Sequence, residues 1–538
     1  MPAIDLARTR RVRLLVASIL LVFAVAASLA EADGAMERED RSRDPEGGVD
    51  TSYLDYAIID SYSGQFKSGR YCVSGGIKRS DSSICNPALD RFDANYYFSG
   101  VKGGDGTRLI HWTTSGDLLT VYEQPGHPKV AVYVNPQPQT ANTGVERSSW
   151  ARHVKKLDGQ SEEAAAFNLD GSGADEILVV LGNKGTFGHY ARTATGSVGE
   201  FTKWKGKGFE IPSASWMRIG GADKNAAGAH VPIDLDDNDC PEILLGSKSG
   251  KVGALKCPPG DRGNPEAWRY VMLATGLGEV QRLTAKGNRV VVSVKSGGGS
   301  GRGVGYIDVD AEAFASGEIE ALDFRKKPVR RDHFVSTDQK AMELEIADVD
   351  GDELMDLVIP TRKNSGEGGQ IMVWFGIEDA NDPFAGLEPW TDEESMVLQG
   401  LWKEAWCRSH NHMAFKGVAV GDLWIHGSRR TNAIVVNGRG CAAAANGIWY
   451  TADDLVSGSG RRDPGNWSFR SLTDPGTGFW DDVEMKFDRP ILYDFNKDYV
   501  LDVASSDEDG TWKKTFGSAD GKHPGVGTIV WYGRRFGD

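Results

Sequence analysis

Asp348-Val349-Asp350-Gly351-Asp352-Glu353-Leu354-Met355-Asp356 places oxygen side chains at positions 1, 3, 5 and 9 of a short acidic run. The spacing returns three times: in Asn168-Leu169-Asp170-Gly171-Ser172-Gly173-Ala174-Asp175-Glu176, in Asp234-Leu235-Asp236-Asp237-Asn238-Asp239-Cys240-Pro241-Glu242 and in Asp494-Phe495-Asn496-Lys497-Asp498-Tyr499-Val500-Leu501-Asp502. In a tightly curled loop such alternate side chains point inward. A backbone carbonyl at position 7 (Ala174, Cys240, Leu354 or Val500) adds a further oxygen. The donor set predicts a hard-cation cage, and calcium suits its large, irregular shell better than magnesium; zinc would call for His or Cys.

An EF-hand needs a bidentate Glu at position 12 between two amphipathic helices. Position 12 is instead Val179, Leu245, Ile359 and Ser505. Short apolar or alternating runs flank every loop, such as Leu344–Asp348 before and Leu357–Pro360 after, so each loop is expected to join two strands. The loops carry many carboxylates that would repel one another without a cation, so calcium is expected to stabilise the fold.

Loop starts at 168, 234, 348 and 494 imply a unit of about 55 to 75 residues. The long gap after 234 leaves room for a worn unit around Arg289-Val290-Val291-Val292. Another around Asp422 keeps its flanking strands but not the other ligands, and a third is placed at Gly103–Trp112. Two further patterns recur out of phase. Gly369…Trp374-Phe375, Gly447…Trp449-Tyr450 and Gly527…Trp531-Tyr532 read as one strand of the unit; Trp150…Leu157, Trp268…Leu273 and Trp467…Leu472 read as another. About four strands per unit and seven units predict an all-β, seven-bladed β-propeller with calcium-binding loops in several blades. The 67 glycines and 15 tryptophans fit a chain of tight turns and aromatic strands.

The units resemble the VCBS/FG-GAP repeats of secreted and cell-surface propellers, the type also found in integrin α-subunit heads. The stretch Lys486–Asp502 followed by Gly527–Tyr532 is similar to the ending of bacterial VCBS-repeat proteins, and the resemblance spans roughly residues 95–535. It implies that Asn168, Asp234, Asp348 and Asp494, with their partners, ligate calcium. It implies no single function, because adhesion modules, lectins and some polysaccharide lyases or dehydratases share the fold.

At the N-terminus, Arg8, Arg10, Arg11 and Arg13 precede an apolar run from Leu14 to Ala30, and Ala30-Glu31-Ala32 offers a small-x-small cleavage site. Residues 1–32 therefore read as a signal peptide, 33–50 as a charged linker, and 51–538 as one propeller domain without a later membrane span. A secreted chain is expected, or a periplasmic one in a bacterium. The six cysteines permit disulfides there, with neighbour pairing (Cys72 with Cys85, Cys240 with Cys257, Cys407 with Cys441) the simplest connectivity.

Lys plus Arg number 61 against 76 Asp plus Glu, a net charge of −15, which argues against nucleic acid as a partner. A glycan or an extracellular protein is the expected ligand, on the face opposite the cages. Gln160, Glu162, Lys224, His230, Asp338, Lys340, His410, His412, Glu484 and Lys486 are expected to converge there, a mixed-charge rim suited to a saccharide or acidic sugar polymer. The densest chemistry lies in Leu401–His412, where Arg408 could neutralise a uronate carboxylate while His410 or His412 removes the adjacent proton. The alternatives are that the two histidines hold a transition metal, or that they are ordinary polar residues beside a disulfide. The expected role is thus a calcium-binding recognition module; a polysaccharide lyase is the alternative.

Overall fold

A computed structural model describes residues 56–61, 66–68, 72–74, 77–79, 96–98, 107–112, 116–122, 129–135, 151–158, 163–171, 175–181, 186–193, 197–204, 217–220, 222–224, 230–295, 301–337, 339–362, 369–376, 395–399, 414–425, 429–441, 446–451, 460–472, 484–486, 489–495, 500–506, 526–531 and 533. The signal peptide and linker expected over 1–50 lie outside them. No helix of the described residues is long and apolar enough to cross a membrane.

Seven sheets of four or five strands follow one another along the chain. Blade 1 comprises Thr107–Trp112, Leu118–Tyr122, Lys129–Val134 and Ala151–Lys156, and blade 2 comprises Ala164–Phe167, Glu176–Leu181, Thr186–Arg192 and Val198–Lys203. Blade 3 is built on Met217–Gly220, Ile243–Ser247, Val252–Lys256 and Arg269–Thr275, with Leu322–Asp323 at its edge. Blade 4 follows with Val280–Lys286, Arg289–Val294, Gly303–Asp308 and Phe334–Ser336. In blade 5, Lys340–Ala341 and Glu345–Ala347 flank Asp356–Arg362, followed by Gln370–Trp374 and Ser395–Gln399. Ala414–Ile425, Arg429–Cys441, Gly447–Thr451 and Trp467–Ser471 form blade 6.

Blade 7 closes the ring. Its strands Ile491–Tyr493, Asp502–Ser506 and Val526–Trp531 are completed by Tyr56–Ser61, which pairs antiparallel with Val526–Trp531. Each sheet packs on the next and the seventh on the first, so the all-β seven-bladed propeller is observed.

The sequence builds this ring because the middle strands are apolar on both faces. In Glu176–Leu181, Ile177, Val179 and Leu181 face blade 1, while Leu178 and Val180 face blade 3. Val290, Val292 and Val294 likewise pack toward blade 3 and Val291 toward blade 5. Period-two alternation assigns each side chain to one junction. Burial of a Val, Leu or Ile side chain contributes roughly 1.5–3 kcal/mol, and a continuous apolar run is what a two-faced strand requires.

The worn units differ in detail from their sequence reading. The blade 4 unit is as expected, with Val280–Lys286 and Arg289–Val294 paired across Gly287 and Asn288. In blade 6, Asp422 lies inside a long ladder opposite Asn432 and not in a loop, because Gly417–Ile425 pairs in regular register up to Arg429. In blade 1, the turn equivalent to the acidic loops precedes Leu118, between the first two strands, whereas residues 103–106 come before the first strand. In blade 3, His230–Pro232 pairs with Ala222–Lys224, and Met217–Gly220 lines Ile243–Ser247; a hairpin interrupts the inner strand. The aromatic-doublet segments form the third strands of blades 5, 6 and 7, and the Trp…Leu segments the fourth strands of blades 1, 3 and 6.

Candidate functional site

In all four acidic loops the position 9 carboxylate accepts the backbone N–H of position 2: Leu169 to Glu176 at 2.8 Å, Leu235 to Glu242 at 2.7 Å, Val349 to Asp356 at 2.7 Å and Phe495 to Asp502 at 2.8 Å. The second oxygen takes an N–H from just beyond the third strand, from Cys257 to Glu242 at 3.3 Å, Gly376 to Asp356 at 2.8 Å and Gly533 to Asp502 at 2.9 Å. Position 9 thus pins the loop to its own blade. Asp117 repeats the device in blade 1, accepting Asn135 N–H at 2.8 Å. The signal for it in the sequence is an acidic residue directly before a second strand. Burial, reinforced by neighbouring carboxylates, pushes Glu176 up to about 7, Glu242 to about 8 and Asp356 to about 7.

The loops curl through left-handed backbone at Asp237, Asp239 and Glu353, and at Gly171 and Gly351. Asp234 accepts N–H groups from Asn238 at 3.2 Å and Asp239 at 2.8 Å; Asn238 accepts Cys240 N–H at 2.8 Å. Asp348 accepts from Gly351 at 2.6 Å, Asp352 at 3.2 Å and Glu353 at 3.0 Å, and Asp352 accepts Leu354 N–H at 2.9 Å. Two groups of carboxylates converge, each with its oxygens within 4.8 Å: Asp234, Asp236 and Glu242, and Asp348, Asp350 and Asp356.

The Asp236 side chain is 2% exposed, with Oδ2 lying 3.6 Å from Lys256 Nζ. Its Oδ1 is buried without a hydrogen-bond partner, as is Oδ1 of Asn168. An ionised oxygen in that state is costly unless a cation meets it, so the donors of loop 234–242 fit a hard divalent ion. Cys240 is disulfide-bonded to Cys257, as the local pairing predicts, which leaves its carbonyl as the oxygen available at position 7. Ser172, Ala174, Asn496 and Asp498 lie outside the described residues; Asp494 and Val500 lie at the start and near the end of their loop.

Cationic side chains from the following blade reach back to these loops. Arg192 of blade 2 donates to Asp117 at 2.7 Å. Arg262 of blade 3 lies against Gly171, where a Cβ would come within 2.2 Å of its Nη2. Arg462, in the turn before the last strand of blade 6, donates to Asp350 at 2.6 Å and to Asp352 at 2.9 Å. Arg262-Gly263-Asn264-Pro265-Glu266-Ala267-Trp268 and Arg461-Arg462-Asp463-Pro464-Gly465-Asn466-Trp467 share an R-x-x-P-x-x-W pattern. In both, the Trp indole N–H closes the turn on the first Arg carbonyl, at 2.8 Å and 2.7 Å. Reading the acidic loops alone missed this repeat.

The opposite end of the inner strands holds charge as well. Arg282 of blade 4 lies 2.9 Å from Glu343 of blade 5 and 3.8 Å from Glu163, directly before blade 2; Arg489, before blade 7, lies 4.0 Å from Glu343. All four side chains are buried, so this cluster joins four blades where their inner strands begin. The same face carries a second group at blades 4 and 5. Lys340 and Arg362 are cross-strand partners. Lys295 and Arg302 stand at the paired ends of the neighbouring hairpin. Burial, then the charges of Arg362, Lys295 and Arg302, hold Lys340 below the usual lysine range. Glu279, 3.2 Å from Lys295, opposes them.

Of the expected rim, Lys340 lies in this group. Lys224 and His230 pair across the blade 3 hairpin, and Glu484 and Lys486 pair with Cys441 and Arg439. Gln160, Glu162, Asp338, Arg408, His410 and His412 lie outside the described residues.

No known protein family and no curated protein matches the chain. Among solved structures it is similar to a catalytically inactive virginiamycin B lyase from Staphylococcus aureus, with a TM-score of 0.40 and 9% identity over 80% of this chain and 96% of that one. It is similar to Sqt1 from Chaetomium thermophilum, with a TM-score of 0.39 and 13% identity over 81% and 89%. A third is the Dos1 propeller, with a TM-score of 0.39 and 11% identity over 81% and 80%. These likenesses are remote, and the seven-bladed assignment is read from the strand pairing itself.

Proposed function

We propose that this chain is an exported, calcium-stabilised recognition propeller that binds an acidic saccharide on the face opposite the acidic loops. The observation that carries the reading is the cationic group Lys340, Arg362, Lys295 and Arg302. Lys340 and Arg362 stand directly opposite each other on the sheet, and a cationic rim of this kind suits an anionic ligand. Calcium enters through loop 234–242, where Asp234, Asp236, Glu242 and the position 7 carbonyl would hold it; the unmatched Asp236 Oδ1 supports this. The ion supplies charge neutralisation that fixes the loop between the first two strands of its blade. The axial cluster of two arginines and two glutamates largely neutralises itself, which favours a structural over a proton-transfer role for it.

The test is binding of polygalacturonate and alginate to the full chain by calorimetry, with absorbance of unsaturated uronate followed in parallel. Binding without product, lost in the Lys340→Ser/Arg362→Ser variant, is expected. Product that vanishes in His410→Ala or His412→Ala supports the lyase alternative. Binding that survives loss of both cations refutes the proposed face.

A further inference from the structure

Loop 348–356 has the fullest acidic set of the four, and its sequence alone makes it the strongest calcium candidate. Its side chains contain a competing cation. Arg462 Nε lies 2.6 Å from Asp350 Oδ2 and Nη2 lies 2.9 Å from Asp352 Oδ2, so one planar guanidinium spans positions 3 and 5 of the loop. The same guanidinium stacks on the ring of Phe375, 4.9 Å from its centroid. Arg461 reaches the carbonyl of position 2, Val349, at 3.4 Å.

The turn that carries these arginines is held independently of the loop. Trp467 Nε1 donates to Arg461 O at 2.7 Å, Gly465 N–H to Asp463 Oδ1 at 2.8 Å, and Asn466 Nδ2 to Gly460 O at 2.8 Å. Arg462 is therefore presented by a rigid element, and the fork of a guanidinium matches paired carboxylates better than an ammonium does. Asp350 is fully buried, so a lone ionised carboxylate there would be costly; Arg462 meets that need. In loop 234–242, by contrast, Lys256 of the same blade lies 3.6 Å from Asp236 Oδ2, and Asp236 Oδ1 lacks a partner.

We propose that Arg462 is the resident cation of loop 348–356 and stands where calcium would otherwise bind, so that the junction of blades 5 and 6 is closed without metal. The donors of that loop do not fit calcium while the guanidinium is in place, because two of its expected ligands are engaged and a positive charge already lies between them. The contrast with loop 234–242 rests on the calcium reading above, but the claim about Arg462 does not.

Calcium stoichiometry, measured by calorimetry on the full chain after dialysis against EGTA, tests it. Asp350→Asn is expected to leave the stoichiometry unchanged. Arg462→Gln is expected to add about one calcium per chain, a gain lost in Arg462→Gln/Asp350→Asn. A loss of calcium in Asp350→Asn, or no gain in a folded Arg462→Gln, overturns the proposal. If Arg462→Gln does not fold, the Asp350→Asn result decides alone. Asp236→Asn run alongside separates the two readings: a stoichiometry it leaves unchanged refutes calcium in loop 234–242 and not the role of Arg462.

Discussion

The side-chain amide of Asn135 donates to the carbonyl of Phe495 at 2.8 Å, joining the first blade to the seventh across 360 positions of sequence. Asn135 is buried, and its own N–H is taken by Asp117 at 2.8 Å. One residue therefore ties the turn of blade 1 to the acidic loop of blade 7. Asn135→Ala removes this buried bond between blades and is expected to lower stability by about 1 kcal/mol, read as a lower urea midpoint with an unchanged slope.

Gly250 turns between two strands of blade 3 with φ +77°, and a Cβ there would come within 1.7 Å of Leu277 O. Gly250→Ala meets both a disfavoured backbone and a backbone atom that cannot swing aside. A loss of at least about 2 kcal/mol is expected in thermal melts, against a smaller loss of about 1 kcal/mol for Gly287→Ala, which meets no neighbour but shares the positive φ.

The raised carboxyls give the metal-free protein a definite pH response. Glu176, Glu242 and Asp356 titrate at about 7 to 8 when folded, above the ordinary 4.5 for Glu and 3.8 for Asp. Between those limits the folded state binds more protons than the unfolded state, so stability falls as pH rises through the window. In EGTA the melting temperature is expected to decline from pH 5 to pH 8. Calcium should flatten that decline, since it favours the ionised form of Glu242. A metal-free melting temperature that climbs over this range would contradict the assignment.

Arg282 is buried between Glu343 and Glu163. Arg282→Ala removes the cation between those two buried carboxylates, with Arg489 still 4.0 Å from Glu343, and is expected to cost about 3–5 kcal/mol, measured by guanidinium chloride denaturation.

The Cys240–Cys257 disulfide closes a separation of 17 residues and ties position 7 of an acidic loop to the end of the third strand. Cys240→Ser/Cys257→Ser is expected to lower stability by about 3 kcal/mol. Calcium affinity should fall with it, measured by calorimetry, because the position 7 carbonyl loses its anchor.

Much of the ring was legible because its signals are local. Oxygen spacing marked the loops, and continuous apolar runs such as Ile177–Leu181 marked strands buried on both faces. Contacts that cross blades were not legible. Arg462 meets Asp350 from 112 positions away, and nothing at either place names the other. The R-x-x-P-x-x-W repeat was visible as letters, but its meaning depends on the turn that its Trp closes. Blade 3 misled for another reason: His230–Pro232 has the alternation of an inner strand, yet its hydrogen bonds go to Ala222–Lys224. Asp422 misled because a single acidic residue in a valine-rich hairpin looks like the remnant of a loop.

Tyr56–Ser61 is synthesised long before its partner Val526–Trp531, with the other six blades between them. It has no blade to complete until the end of the chain emerges. Blades can assemble in order from the N-terminal side, but blade 7 gains its outer strand only when Val526–Trp531 meets Tyr56–Ser61, so that pairing comes late on the folding route. Removing Tyr56–Ser61 would leave Val526–Trp531 as a bare sheet edge, whereas removing Val526–Trp531 would bare Asp502–Ser506 instead.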